Sequence, residues 1–230
     1  MKHLFNIGLV AALLLAGCAK EEQPAPVDLG YDYFPAKVGA WVVFQVDSLW
    51  QDDVAGVLDS VSYLLREQVV EQYTDVEGRT AYRLVRSVQD GEGNWVPRDV
   101  WTFTVNSTAA ELTEENKRRL KLSFPVRETR SWDLNALNTD DELLVAFRNV
   151  GQPWSSGGNT YGETVLVRNT LPPNLVVIRN FEERYAKGVG LVSKYWEEMN
   201  RQTTYPPNQP PVVRVVGFRL NMLALDHGTE

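Results

Sequence analysis

Apolar residues recur at every second position through most of this chain. That alternation restricts it to folds made of strands that pack one face and show the other to water. In AWVVFQVDSLW, Val42, Phe44 and Val46 share one side, and Gln45 and Asp47 share the other. SVSYLLREQVVEQY places Val61, Tyr63, Leu65, Val69 and Tyr73 on one face; its β-branched and aromatic content favours a strand over a helix. TAYRLVRSV, RDVWTFTV, ELLVAFRNV, ETVLVRNT, NLVVIRNFEERYA, LVSKYWEEM and VVRVVGFRLNMLAL continue the pattern. They are separated by turn-forming stretches: Asp75 to Gly78, the hairpin signal DGEGN from Asp90 to Asn94, the tight turn AKGVG, and the proline loop from Pro206 to Pro211. ELTEENKRRLKLSFP admits a helix begun at Thr113. The alternation of Leu120, Leu122 and Phe124 up to Pro125 instead favours two short strands about a turn at Glu115 and Asn116. GQPWSSGGNTYG, Gly151 to Gly162, reads as a pliable loop. The expected fold is therefore mainly β: an antiparallel curved sheet, arranged as a partly closed barrel or a two-sheet sandwich.

The start of the chain obeys different rules. A short basic segment with Lys2 precedes an apolar run from Leu4 to Ala16, which is too short to span a bilayer as a helix of about 20 residues. It ends in Leu15, Ala16, Gly17 and Cys18, and Cys18 is the only cysteine among 230 residues. This resembles the lipobox of bacterial lipoproteins, in which the cysteine becomes the first mature residue and carries a diacylglycerol and an N-acyl chain. Several acyl chains hold a protein firmly where one holds it marginally. The expected organisation is a signal peptide over 1–17, the acylated cysteine and tether over 18–30, one β-rich domain over 31–225, and a tail over 226–230. Ala19 stands where an inner-membrane retention signal would have Asp. Lys20, Glu21 and Glu22 resemble the lysine-plus-acidic signal that sends some Bacteroidota lipoproteins to the cell surface; a solvated tether explains them equally. The expected location is the outer membrane, on the cell surface or on the periplasmic face.

Removing the leader leaves 213 of 230 residues, enough for one sizeable core. The formal charge of the chain is −7, and KRR at Lys117 to Arg119 is its densest basic run, read as a solvated strand edge or turn. An acidic chain without a basic patch excludes nucleic acid as a partner.

Four phrases, in order along the chain, carry a resemblance: YFPAKVGAWVVFQVD (Tyr33 to Asp47), RDVWTF (Arg98 to Phe103), LKLSFPVRETRSWDLNALNT (Leu120 to Thr139) and YAKGVGLVSKYWE (Tyr185 to Glu197). Together they resemble a group of uncharacterised lipoproteins of Bacteroidota. The resemblance implies an envelope lipoprotein and assigns no functional residue. The chain departs from the group's pattern at Asp133 and Leu134, where Asn-Gly is commoner. Trp41, Trp101, Trp132 and Trp196 in or near these phrases read most simply as core fillers whose indole N–H needs a partner.

Catalytic chemistry has few residues to draw on. His3 leaves with the leader, and His227 lies in the expected tail. Histidine triads and histidine-based zinc sites are therefore excluded. No phosphate-binding loop is present, and no cofactor or metal is implied. The carboxylates Glu182 and Glu183, and Asp140, Asp141 and Glu142, leave a carboxylate-dependent hydrolase and a weak calcium site as alternatives. The sequence thus points to a non-catalytic, membrane-anchored lipoprotein with a structural, accessory or binding role. A carrier that encloses a lipid or other apolar ligand is the alternative of a different class. The expected contact residues are Gln152, Trp154, Asn159 and Tyr161, where an aromatic face lies beside amide and hydroxyl groups suited to a glycan or to an outer-membrane or extracellular protein.

Overall fold

The computed structural model describes residues 27–170 and 176–230. The lipid-attachment and sorting candidates Cys18, Ala19, Lys20, Glu21 and Glu22 lie outside the described residues. A short 3-10 turn, η1 (Tyr31–Tyr33), is followed by twelve strands: β1 (Ala40–Asp52), β2 (Val57–Thr74), β3 (Thr80–Gln89), β4 (Trp95–Val105), β5 (Ala109–Glu114), β6 (Lys117–Ser123), β7 (Ser131–Asp133), β8 (Leu144–Ser156), β9 (Asn159–Asn169), β10 (Val177–Ala186), β11 (Gly190–Thr204) and β12 (Val212–Thr229). They form one antiparallel sheet in the order β6-β5-β4-β3-β2-β1-β12-β11-β10-β9-β8-β7. The sheet is nearly closed into a barrel. Its two edges meet where Leu120 N donates to Leu134 O at 3.0 Å and Trp132 Nε1 donates to Leu120 O at 2.8 Å.

Period two decides which residues enter the barrel. Val42, Phe44 and Val46 are buried together with Leu65 opposite them on β2. The region expected as two short strands is β5 and β6, and Glu115 and Asn116 take φ of 50° and 62° in the turn between them. Twelve strands enclose more space than the eight that side chains alone fill. Here the interior takes large rings, long charged side chains and the segment after η1. Tyr33 is buried in the same cluster as Phe124, Phe147, Phe181 and Tyr185, and Phe34 packs edge-on to Phe103 at 5.4 Å.

Residues 226–230, expected as a frayed tail, correct that expectation. Asp226, His227, Gly228 and Thr229 pair in register with Val43, Val42, Trp41 and Ala40. Glu230 N donates to Gly39 O at 3.0 Å, and the Glu230 carboxylate accepts from Arg66 and Gln68. The reason is closure: β1 has β2 on one side and needs β12 along its whole length on the other. The end of the tether is docked as well, with Lys187 Nζ on Asp28 Oδ2 at 2.7 Å and Val126 N on Leu29 O at 3.0 Å.

The barrel has two ends. One carries η1, the β10–β11 turn and the docked end of the tether, joined where Gly188 N donates to Asp32 O at 2.8 Å. The other carries the β5–β6 turn and the 134–143 loop, joined by Lys117 Nζ on Asp140 Oδ1 at 2.8 Å.

Candidate functional site

The tryptophan segment is the first place where structure and sequence part. Residues 151–162 are not a loop: β8 and β9 run through them as a hairpin, with Trp154 paired to Tyr161 and only Gly157 and Gly158 in the turn. Those glycines have φ of 60° and 84°, the two positive values that a tight two-residue hairpin turn requires. Bulges between Arg148 and Trp154 bend the hairpin. It reaches β12 beyond Leu223, the last residue there that pairs with β11. Asn159 Nδ2 donates to the Leu225 carbonyl at 2.9 Å, and a side chain at Gly157 would begin 3.0 Å from the Ala224 carbonyl. Tyr161 is buried in the cluster of Phe44, Val192 and Ala224. Trp154 is half-buried, with its ring 6.0 Å from Tyr161 and the Arg184 guanidinium 5.0 Å over it. Gln152 is exposed, and its carbonyl accepts from Thr164 Oγ1 at 2.8 Å. The four candidate contact residues are thus neighbours on one hairpin, but Asn159 and Tyr161 are engaged within the fold.

The second place is the interior. Phe181, Glu183 and Tyr185 alternate inward on β10, and all three are fully buried. Lys121 Nζ lies 2.5 Å from Glu183 Oε1, Lys194 Nζ lies 3.3 Å from the same oxygen, and the Tyr185 hydroxyl donates to Glu183 Oε2 at 2.6 Å. Glu114 joins the group through Arg119 Nε at 2.8 Å and Lys194 at 3.9 Å. Burial pushes the Glu183 carboxyl up, but the two ammonium groups and the hydrogen bonds outweigh it and hold the pKa at about 2. The same opposition leaves Glu114 lowered and Lys194 raised. Burial, followed by the Glu183 charge, raises Tyr185 well above its ordinary value. Glu183, Glu114, Lys194 and Tyr185 are each pushed further from neutral pH, whereas a general acid or base works best with a pKa near the operating pH. A cavity of about 100 Å³ borders the cluster, walled by Phe34, Phe103 and Met222 on its apolar side. That is well below the roughly 300 Å³ at which ligand pockets begin.

Two of the carboxylates read from the sequence, Glu182 and Asp140, are held in ion pairs. Glu182 and Glu183 are adjacent on a strand and face opposite ways; Glu182 sits outside with Arg168 Nε at 3.3 Å. Asp140 accepts from Lys117 at 2.8 and 3.0 Å, and that ammonium lowers its pKa. Among the described residues, every carboxylate with a displaced pKa is displaced downward, opposite to what an acid catalyst needs.

The third place is a cleft of about 520 Å³ at the barrel end opposite the tether. Its floor is a row of registered neighbours: Arg179 on β10 opposite Glu198 on β11, and Glu198 opposite Phe218 on β12. Gly217 permits this row, because a β-carbon there would lie 2.0 Å from the Glu198 carbonyl. Arg179 pairs with Glu198 at 2.8 Å, and Phe218 meets the edge of Trp196 at 5.7 Å. Across the seam stand Arg119, Asn135, Thr139, Asp140 and Asp141. Arg119 Nη1 donates to Asn135 Oδ1 at 2.8 Å, and its guanidinium lies 4.9 Å over Trp196. Arg119 is buried, so KRR is not wholly the solvated edge that its composition suggests. Of the tryptophans read as core fillers, Trp132 is buried with its N–H bonded; Trp196 is half-buried, and its Nε1 lacks a partner.

Sequence reasoning overlooked both the charge cluster and the cleft. The cluster had a signal in the alternation Phe181, Glu183, Tyr185, which carries a carboxylate into the core. The cleft had none, since it draws on β6, the 134–143 loop and three further strands.

Comparison with known proteins gives no match to a family model and none to a curated protein. Two solved structures are similar. One is from Parabacteroides distasonis, described as a "putative lipoprotein", with TM-score 0.42 and 12% identity over 85% of this chain and 98% of that one. The other is from Bacteroides fragilis, a "putative exported protein with YmcC-like fold", with TM-score 0.40 and 11% identity over 85% and 98%.

Proposed function

We propose that this chain is a lipid-anchored protein of the outer membrane that binds a small polar ligand in the cleft at the end of its barrel and does not transform it. The observation that supports this reading is the contrast in space: about 520 Å³ in the cleft against about 100 Å³ in the cavity beside Glu183. A lipid carrier needs the reverse. The outer surface carries ion pairs such as Arg83 with Glu71 and Arg168 with Glu182, where a membrane-spanning barrel would show an apolar band. Attachment through acylated Cys18 fits a barrel of that kind. The Lys20 to Glu22 stretch is consistent with display on the cell surface as well as with the periplasmic face, and on the surface a glycan or an extracellular protein is the partner class within reach.

Two measurements test this. A Cys18→Ser precursor expressed in a bacterial host should lose metabolic labelling by fatty acid; persistent labelling would remove the anchor. Ligand-observed NMR of the full chain, in a detergent without a sugar headgroup, against sugars, amino acids, nucleosides and dicarboxylates should show magnetisation transfer to at least one class. Thr139→Trp, which places a ring at the exposed rim of the cleft, should abolish it. New product signals would overturn the non-catalytic reading, and silence from every class would overturn the cleft.

A further inference from the structure

We infer that the cleft takes an uncharged carbohydrate of one or two rings. This deepens the binding reading above and rests on it.

The charge of the walls decides the class. Three cations line the cleft, Lys117, Arg119 and Arg179, and three carboxylates, Asp140, Asp141 and Glu198. Each cation already has its anion: Lys117 holds Asp140 at 2.8 Å, Arg179 holds Glu198 at 2.8 Å, and Arg119 holds Glu114 at 2.8 Å and Asp140 at 3.4 Å. An anionic ligand would have to displace one of these partners and leave it without a counter-ion, and a cationic one would meet Asp141 beside three cations. A polyol displaces nothing. Paired carboxylates keep lone pairs for hydroxyl donors, and a guanidinium keeps N–H groups for hydroxyl acceptors.

The aromatic side of the site points the same way. The row Arg179, Glu198, Phe218 continues one strand further to Trp50, which is opposite Phe218 on β1 and 47% exposed. A tryptophan so open, beside a half-buried phenylalanine, leaves an aromatic face toward solvent. The C–H face of a sugar ring carries a weak positive charge and packs on the negative face of an aromatic ring. One ring in the cleft and a second against Trp50 would use the whole row. The volume of about 520 Å³ lies inside the roughly 300–1,000 Å³ range of small-ligand sites.

The test uses the full chain in a detergent without a sugar headgroup. Its probes are lactose, cellobiose, maltose and N,N′-diacetylchitobiose, with glucuronate and inorganic phosphate as charged competitors. At least one neutral disaccharide should give magnetisation transfer and quench tryptophan emission. Trp50→Ala should weaken its binding about tenfold, and Thr139→Trp should abolish it. Arg168→Gln, on the outer face of β9, should leave it unchanged. Binding of glucuronate or phosphate in preference to every neutral sugar would overturn the inference. So would neutral-sugar binding that is indifferent to both Trp50→Ala and Thr139→Trp. Transfer from amino acids or nucleosides alone, abolished by Thr139→Trp, would sink the carbohydrate class and leave the binding reading standing. Silence from every class would sink both.

Discussion

The barrel holds two groups of cation–carboxylate pairs placed in opposite surroundings. Around Glu183 the participants are almost sealed: the side chains of Glu183, Lys121 and Lys194 are 0%, 3% and 8% exposed. At the cleft, Lys117 and Asp140 are 50% and 30% exposed, and Arg179 and Glu198 are 28% and 30%. Both are cation–carboxylate pairs, and the difference is the solvent. A sealed pair cannot exchange its partner for water, so it fixes three strands against one another. An open pair can lose its partner to solvent cheaply, and it can share its remaining lone pairs and protons with a ligand.

The sharpest way to break the comparison is Glu183→Gln. Lys121 would be left in the core without its anion and Lys194 with only Glu114, 3.9 Å away, and removing one partner of a buried pair costs roughly 3–5 kcal/mol. Chemical denaturation should show a loss of that size; a loss below about 1 kcal/mol would mean that the interior is wetter than its burial indicates. Acid provides a second approach. Glu183 is held at about 2, below its ordinary 4.5, so it contributes stability that is fully present above about pH 4.5. That contribution is lost as pH falls from there toward about 2. The acid limb of stability should therefore be shallower in Glu183→Gln than in the parent, and coincident curves would contradict the ion pairing.

Arg119 sharpens the comparison because it belongs to both groups, touching Glu114 on the inside and Asp140 at the cleft. Arg119→Gln should cost an intermediate amount, about 2–3 kcal/mol by interpolation between sealed and open pairs. The smallest effect is expected for Glu198→Gln, within the roughly 0–1 kcal/mol of an exposed pair, read from the same denaturation midpoint. A loss for Glu198→Gln equal to that for Glu183→Gln would erase the distinction.

How much of this was legible in the sequence depends on whether one strand or several carry the information. The turn at Glu115 and Asn116 could be read locally, since alternation runs up to it from one side and away on the other. So could the inward face of β1. The Gly151 to Gly162 hairpin was misread because glycine and serine mark loops in general, while here Gly151 takes positive φ at a bulge and only Gly157 and Gly158 form the turn. His227 looked frayed because closeness to the end of a sequence says nothing about a partner almost two hundred residues away on β1. The cleft was illegible for the same reason. Arg179, Glu198, Phe218 and Trp50 become neighbours only through register, and register is settled by the packing of the whole sheet.

The docked end of the tether and the cleft occupy opposite ends of the barrel, and that sets a direction. On β11, Gly190 lies against Pro35 beside the tether end, while Glu198 lines the cleft eight residues further along. At about 3.3 Å per residue, this stretch of strand alone sets the two apart by roughly 25 Å. The leash from Cys18 to Val27 adds at most about 30 Å when fully drawn out. A chain anchored at Cys18 would stand on the bilayer like a post with its open end outermost. The cleft would sample whatever diffuses or is tethered several nanometres from the headgroups, and it would be poorly placed to touch the lipids of its own membrane.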